Sequence, residues 1–195
     1  MTAWHGLTVL AEAPATHQPR YHGMRVTREE YIDLADDGYK YDVIEGVMVM
    51  SPSADFFHGK TYGEIFSIIR QHLKLHPVGY LTQETDVFLP DGGDPLRPDI
   101  SFILNEKKHI IKTHIHGVPD LIVEVLSPAT EHRDLGVKAD RYLKNGVREY
   151  WIADPNAKTL RLWINRGEGW DKKAGDELES VLLPGLKMRK IDIWD

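Results

Sequence analysis

The stretch Asp120-Leu121-Ile122-Val123-Glu124-Val125-Leu126 decides how this chain folds. It is a nearly continuous apolar run, bounded by Pro119 on one side and Ser127-Pro128 on the other, and it reads as a central strand covered on both faces. Side chains alternate along a strand, so Ile122, Glu124 and Leu126 share one face while Val123 and Val125 share the other. An unpaired carboxylate in such a strand costs on the order of a few kcal/mol. Glu124 therefore calls for a basic partner, a proton or a divalent metal, with an internal ion pair as the plain structural alternative. Upstream, Arg97-Pro98-Asp99-Ile100-Ser101-Phe102-Ile103 sets a second acid at the head of a core-like strand. Pro-Asp pairs also start turns, so Asp99 alone says little; two such acids on two strands point to one shared task.

Outward from these strands the pattern is helix, strands, helix, strand. Residues 1–25 carry Pro14, Pro19 and Gly23 without a period and read as a loose N-terminal arm, leaving 26–195 as a single domain. Thr27 and Glu30 form a capping box for a short helix to about Asp36. Tyr41 to Met50 reads as a hairpin around Glu45-Gly46, where Glu45 has a turn-shaping role. His58 to His76 is an amphipathic helix with Tyr62, Ile65, Ile69 and Leu73 on one stripe. Thr85–Leu89 and Asp99–Leu104 are strand-like around a Gly/Pro/Asp turn. A helix from Asp134, as N-cap, to Asn145-Gly146 follows, then a strand over Val147–Ala153 and a C-terminal hairpin beginning at Thr159. The expected fold class is α/β, more closely α+β: a central mixed sheet with helices packed on it and a β-hairpin at each end.

Helical geometry singles out Lys138. Leu135, Ala139, Tyr142 and Leu143 form the inward stripe, and Lys138 lies on its edge, able to reach back toward the end of the Glu124 strand. The competing reading is a stem that snorkels to water. His58 stands at the centre of its helix stripe, pointing inward at a helix N-terminus where an anion is welcome, with a satisfied core histidine as the alternative. Asp42, Glu84 and Asp86 are further acids near strand segments. His109, His114 and His116 fall in a lysine-rich loop without a firm fourth ligand and read as surface histidines rather than a zinc site.

The bulk numbers narrow the class. The 195 residues, 42% hydrophobic and 28% charged, suit one globular domain. No run approaches the roughly 18 apolar residues that span a bilayer, and the start lacks a signal-peptide pattern. Without cysteine there is no disulfide framework, which fits a cytoplasmic protein. A net charge of -6 disfavours a nucleic-acid coating protein, though not a nuclease whose basic residues line one face. No phosphate loop, nucleophile elbow or HExxH helix is present, which sets aside NTPase, α/β-hydrolase and zincin readings.

Pro98-Asp99 followed by Glu124-Val125-Leu126 resembles the PD-(D/E)XK motif of restriction-endonuclease-like nucleases. The ordered blocks at 41–46, 85–89, 97–100, 118–130 and 146–155, with Met50-Ser51-Pro52-Ser53, His58, Asp134, Lys138 and Tyr142 between them, resemble the Uma-type restriction-endonuclease family over about residues 25–190. The resemblance implies a Mg²⁺-dependent endonuclease acting on DNA, with Mn²⁺ able to substitute. Asp99, Glu124 and the Val125 carbonyl would hold the metal. Leu126 takes the place of the motif lysine, and the family pattern supplies a migrated one, here Lys138. Asp42 stands where the family usually shows Glu; Asp42, His58 and Asp86 are expected as accessory residues. Double-stranded DNA and a second copy of the chain are the implied partners. The rival expectation is a catalytically silent nuclease fold kept for binding or assembly.

Overall fold

The computed structural model describes residues 19–51 and 53–195. Among these the chain opens with α1 (Arg28–Ile32), whose N-cap Thr27 and Glu30 form the expected capping box, and a hairpin of β1 (Tyr41–Ile44) and β2 (Val47–Met50). Glu45 and Gly46 both take positive φ, 50° and 72°, as a two-residue hairpin turn requires. The first part of the expected arm lies outside the described residues. From Pro19 onward the chain is bound to the hairpin: Tyr21 is buried, and the Gly23 N–H donates to the Met48 carbonyl at 2.8 Å.

Next come α2 (Phe56–Leu75), β3 (Gly79–Gln83), β4 (Val87–Phe88), β5 (Ile100–Leu104), β6 (Ile115–His116) and β7 (Leu121–Val125). A crossover made of α3 (Glu131–Arg133), a π-turn (Asp134–Lys138) and α4 (Ala139–Asn145) leads to β8 (Glu149–Asp154). The chain finishes with β9 (Thr159–Asn165), β10 (Trp170–Ala174), β11 (Glu177–Glu179), β12 (Lys187–Arg189) and α5 (Lys190–Trp194).

Six strands form the central sheet in the order β10-β9-β8-β7-β5-β3. Within this sheet only β7 and β8 pair in parallel, which is why a helical crossover joins them. The expected C-terminal hairpin is β9–β10, and it is no appendage: β9 pairs with β8 along its length and extends the sheet.

The alternation along β7 is realised as read. Leu121, Val123 and Val125 pack with Ile65 and Ile69 of α2 on one side of the sheet. Ile122 and Leu126 pack with Ala139 and Tyr142 of α4 on the other. Burying each such side chain contributes roughly 1.5–3 kcal/mol, so the two helices are fixed on opposite faces of the strand that carries Glu124. At its far end α4 stops at Gly146, whose φ of 89° is the left-handed cap that Asn145-Gly146 promised.

One boundary differs from the reading of the sequence. The crossover helix begins at Glu131, not at Asp134 as N-cap. Asp134 lies inside it and is buried, and the turn continues through a π-type segment in which Gly136 leaves helical φ/ψ. Ser127-Pro128 ends the strand, and the helix follows within one turn, so the capping residue sits upstream of the one that the Asp-to-Gly pattern marks.

Candidate active site

The C-terminal end of β7, the residues before β5, the start of α2, the β1 strand and the crossover helix converge on a cleft of about 270 Å³. Lys40, Asp42, His58, Asp99, Glu124 and Lys138 all line it.

Asp99 is held at the head of β5 with both oxygens engaged. Oδ1 accepts from Lys40 Nζ at 3.1 Å, and Oδ2 accepts the Val125 backbone N–H at 2.7 Å. His58 Nε2 lies 3.6 Å from Oδ2. The histidine is aimed there because Asp55 caps α2, its carboxylate accepting the His58 N–H at 2.8 Å, so the imidazole leaves the first turn toward the sheet. Burial by itself would raise the Asp99 pKa; the His58 and Lys40 contacts and the Val125 N–H outweigh it and hold the carboxyl well below the usual range. His58 is correspondingly raised: burial opposes its charge, but the bond to Asp99 prevails.

Glu124 is in the opposite condition. Its Oε1 accepts from Lys138 Nζ and from the Tyr142 hydroxyl, each at 3.0 Å. Burial dominates, the Asp134 and Asp99 charges add to it, and Lys138 only partly offsets them, so the carboxyl is pushed up to about 8. Lys138 itself is 5% exposed and spans three acids: Glu124, Asp134 at 2.8 Å and Asp42 at 3.8 Å. Burial disfavours its charge, yet Glu124, Asp42 and Asp134 together raise its pKa well above the ordinary lysine value. The snorkelling alternative is thus not what the structure shows. Lys138 therefore stays charged among three carboxylates, and burial pushes Glu124 toward its protonated form.

The structure brings Asp42, His58, Asp99, Glu124, Val125 and Lys138 to one cleft. Asp86 is not brought there. It turns to another cavity, where Arg97 Nε donates to it at 2.6 Å and the Tyr31 hydroxyl at 3.1 Å, which corrects the expectation of an accessory position. His114 contacts this Asp86 at 3.6 Å, while His109 and His116 are exposed. Lys40, Asp134 and Arg133 are site residues that the reading of the sequence passed over. Arg133 Nη1 lies 3.3 Å from Asp42 Oδ2, which also accepts from the Ser51 hydroxyl at 2.9 Å. Lys40 had a signal, since it precedes Asp42 by two residues and so shares its face of the strand.

Among the described residues no group of three or more His, Asp or Glu side chains is gathered as a ready-made metal cage. What the cleft offers is oxygen: two carboxylates at the ends of neighbouring strands and the backbone of Val125 between them. The acids that line it, Asp42, Asp55, Glu84, Asp99, Glu124 and Asp134, outnumber Lys40 and Lys138. That donor set fits a hard divalent cation of the Mg²⁺ kind, which takes one or two carboxylates and leaves its other positions to water and substrate phosphate.

A central mixed sheet with two buried acids at adjacent strand ends and a lysine from the crossover helix defines a restriction-endonuclease-like protein. The chain belongs to the Uma2 family, described as "Putative restriction endonuclease", whose profile matches residues 28–192. Among solved structures it is similar to "a putative nuclease belonging to DUF820" from Anabaena variabilis, with a TM-score of 0.73 and 19% identity over 87% of this chain and 97% of that one. No curated protein matches it. Among the described residues no helix is long and apolar enough to cross a membrane.

Proposed function

We propose that this protein is a Mg²⁺-dependent endonuclease that hydrolyses phosphodiester bonds of double-stranded DNA, with Mn²⁺ able to replace Mg²⁺. One observation carries the reading: Asp99 and Glu124 open into the same cleft, and Lys138 lies 3.0 Å from the Glu124 carboxylate. Asp99, Glu124 and the Val125 carbonyl would hold the cation. When bound, Mg²⁺ supplies polarisation of the scissile phosphate and a more acidic water. The remaining work falls to the chain. Lys138, kept cationic by Asp134 and Asp42, orients the attacking water and stabilises charge developing at phosphorus. Lys40 and His58 keep Asp99 ionised and aimed into the cleft. Two copies of the chain, one per strand, would suit double-strand cutting.

Plasmid cleavage tests this directly. Wild type with Mg²⁺ should nick and linearise supercoiled DNA, and chelation or Asp99→Ala should abolish the cutting. If Asp99→Ala cuts as well as wild type, the assignment is wrong. The ion pairs that already engage Asp99 and Glu124 favour one rival, a silent member of the fold that binds or assembles without cutting. It predicts no calorimetric signal with Mg²⁺ or Mn²⁺, whereas the nuclease gives one that Glu124→Ala removes.

A further inference from the structure

A cavity of about 240 Å³ lies between the β1–β2 hairpin and the crossover helix, separate from the cleft but sharing Lys138 with it. Its walls come from three places: Val43 and Ile44 of β1, Asp94 and Leu96 in the loop before β5, and Arg133, Val137 and Arg141 of the crossover. Val43, Ile44, Leu96 and Val137 give it an apolar lining. Val137 is 42% exposed, an apolar side chain that the fold leaves uncovered.

Arg133 is the polar group of that lining whose bonding capacity the fold does not use. Its side chain is 13% exposed, and its ion-pair partner is Asp42, met by Nη1 at 3.3 Å. That contact is not aligned as a hydrogen bond. Nη1 is buried and donates to no acceptor among the described residues, and neither Nε nor Nη2 donates to one either. A guanidinium carries several N–H donors, and buried polar groups are nearly always hydrogen-bonded, so this one is short of an acceptor. Arg141, on the same wall, shows the contrast. Its Nη1 donates to the Asp94 carbonyl at 2.7 Å and its Nη2 to the Asp91 carboxylate at 3.1 Å. Lys138 is likewise taken up by its three acids.

Charge sets the class of ligand. Arg133, Lys138 and Arg141 line this cavity against Glu45 and Asp94, the reverse of the balance in the cleft, so an anion is admitted here. The two acids disfavour a second negative charge on it. A monocarboxylate meets both conditions, and its pair of oxygens matches the guanidinium fork. Behind the carboxylate the apolar lining calls for hydrocarbon. The volume falls just under the roughly 300 Å³ at which small-molecule sites begin, so the hydrocarbon must be short.

We propose that this cavity binds a small apolar monocarboxylate, held by a salt bridge to Arg133 with its hydrocarbon against Val43, Ile44, Leu96 and Val137. The site does not rest on the nuclease reading. It is joined to the cleft all the same, because the guanidinium that takes the ligand is also the counter-charge of Asp42, and Asp42 lies 3.8 Å from Lys138. Ligand and Asp42 share one cation.

The experiment uses the full chain without divalent metal, so that it is blind to cleavage. Sodium hexanoate and octanoate are titrated by ligand-observed NMR and calorimetry, next to hexanamide, acetate and inorganic phosphate. Saturable binding of the longer acids at one site per chain is expected. The amide should bind about tenfold more weakly or worse, the scale of one lost charge-assisted hydrogen bond, and acetate and phosphate more weakly still. Val137→Trp, at an exposed position, should fill the cavity and abolish binding. Arg133→Gln, checked for folding by circular dichroism, should erase the preference for acid over amide; if it does not fold, the acid-to-amide ratio on wild type carries that half of the test. No saturable binding of either acid, equal binding of acid and amide, or binding that survives Val137→Trp overturns the proposal. Phosphate binding as tight as that of octanoate overturns it too. A protein that binds octanoate in this way and never cuts DNA loses the nuclease reading and keeps this site.

Discussion

Asp99 Oδ2 accepts the backbone N–H of Val125 at 2.7 Å, so the carboxylate that heads β5 is tied to the residue following Glu124 on β7. The antiparallel register brings these strand ends side by side, with Ile100 opposite Val123. The bond fixes Asp99 relative to Glu124 through main chain rather than through flexible side chains. Two acids with opposite electrostatic conditions are thereby held in one cleft, Asp99 ionised and Glu124 inclined to keep its proton. A cation held by both acids would have to displace that proton from Glu124.

The first prediction concerns that division. Asp99→Asn keeps an acceptor for Val125 but loses the charge that Lys40 and His58 face. It should fold, since the remaining contacts are close to isosteric, and should lose Mg²⁺-dependent cleavage to background. Circular dichroism with plasmid cleavage on the same preparation checks both halves.

Lys138 separates a catalytic from a purely structural role. Lys138→Met leaves Glu124, Asp134 and Asp42 without their common cation, and breaking a buried pair from one side costs about 3–5 kcal/mol. Adding Glu124→Leu should recover much of that loss, measured by urea denaturation. Cleavage should remain absent in both variants, with Lys138→Met reduced by at least roughly a hundredfold, as for loss of a charge-stabilising donor. A double variant that recovers stability and also cuts would remove Lys138 and Glu124 from the mechanism.

How far the sequence foretold this site depends on whether the relevant geometry is local. Alternation along β7 placed Glu124 on the α4 face, and the helix stripe placed Lys138 within its reach; both are periodicities of single elements. Asp134 was read as an N-cap because the Asp-to-Gly pattern is a sound helix signature, and the π-turn that turns it inward has no simple residue code. Asp86 was assigned by nearness to a strand, and its true partner, Arg97, lies across a loop. Burial of an acid does not mark the site either. Glu149 in β8 is 1% exposed, yet the Ser180 hydroxyl, the Trp151 indole and the Val181 and Leu182 N–H groups satisfy it within the fold. Glu124 differs because one of its partners, Lys138, is charged and a cleft opens beside it.

The pH dependence of metal-free stability follows from the same contrast. In the folded chain Glu124 is raised from 4.5 to about 8, so folding favours its protonated form. That contribution is complete below 4.5 and is lost as pH rises toward about 8, because the unfolded state ionises first. Asp99 acts in the other direction: its lowered pKa adds stability above the ordinary value of 3.8, lost as the solution is acidified through that value and below. Glu124→Gln should therefore flatten the decline between 4.5 and about 8 while leaving the acid limb in place. Denaturation midpoints across pH in chelator would show it, and an unchanged slope would mean that Glu124 is ionised at neutral pH.

Asp86 supplies the last test, one in which cutting should survive. Its carboxylate holds Arg97, whose side chain is about a quarter exposed, and both contact Tyr31. Asp86→Asn removes a charge from a pair that water partly screens, so the cost should be about 1–3 kcal/mol, the lower part of the range for a hydrogen-bonded charged pair. The loss would fall on the packing of α1 and the hairpin rather than on chemistry, because the Asp86 carboxylate faces the tyrosine-lined cavity and not the cleft. A lower melting temperature with undiminished cleavage below it is the expected result. Loss of cleavage in a fully folded Asp86→Asn protein would instead return Asp86 to the accessory role that its place in the sequence first implied, and would require the hairpin to close further onto the cleft when DNA is bound.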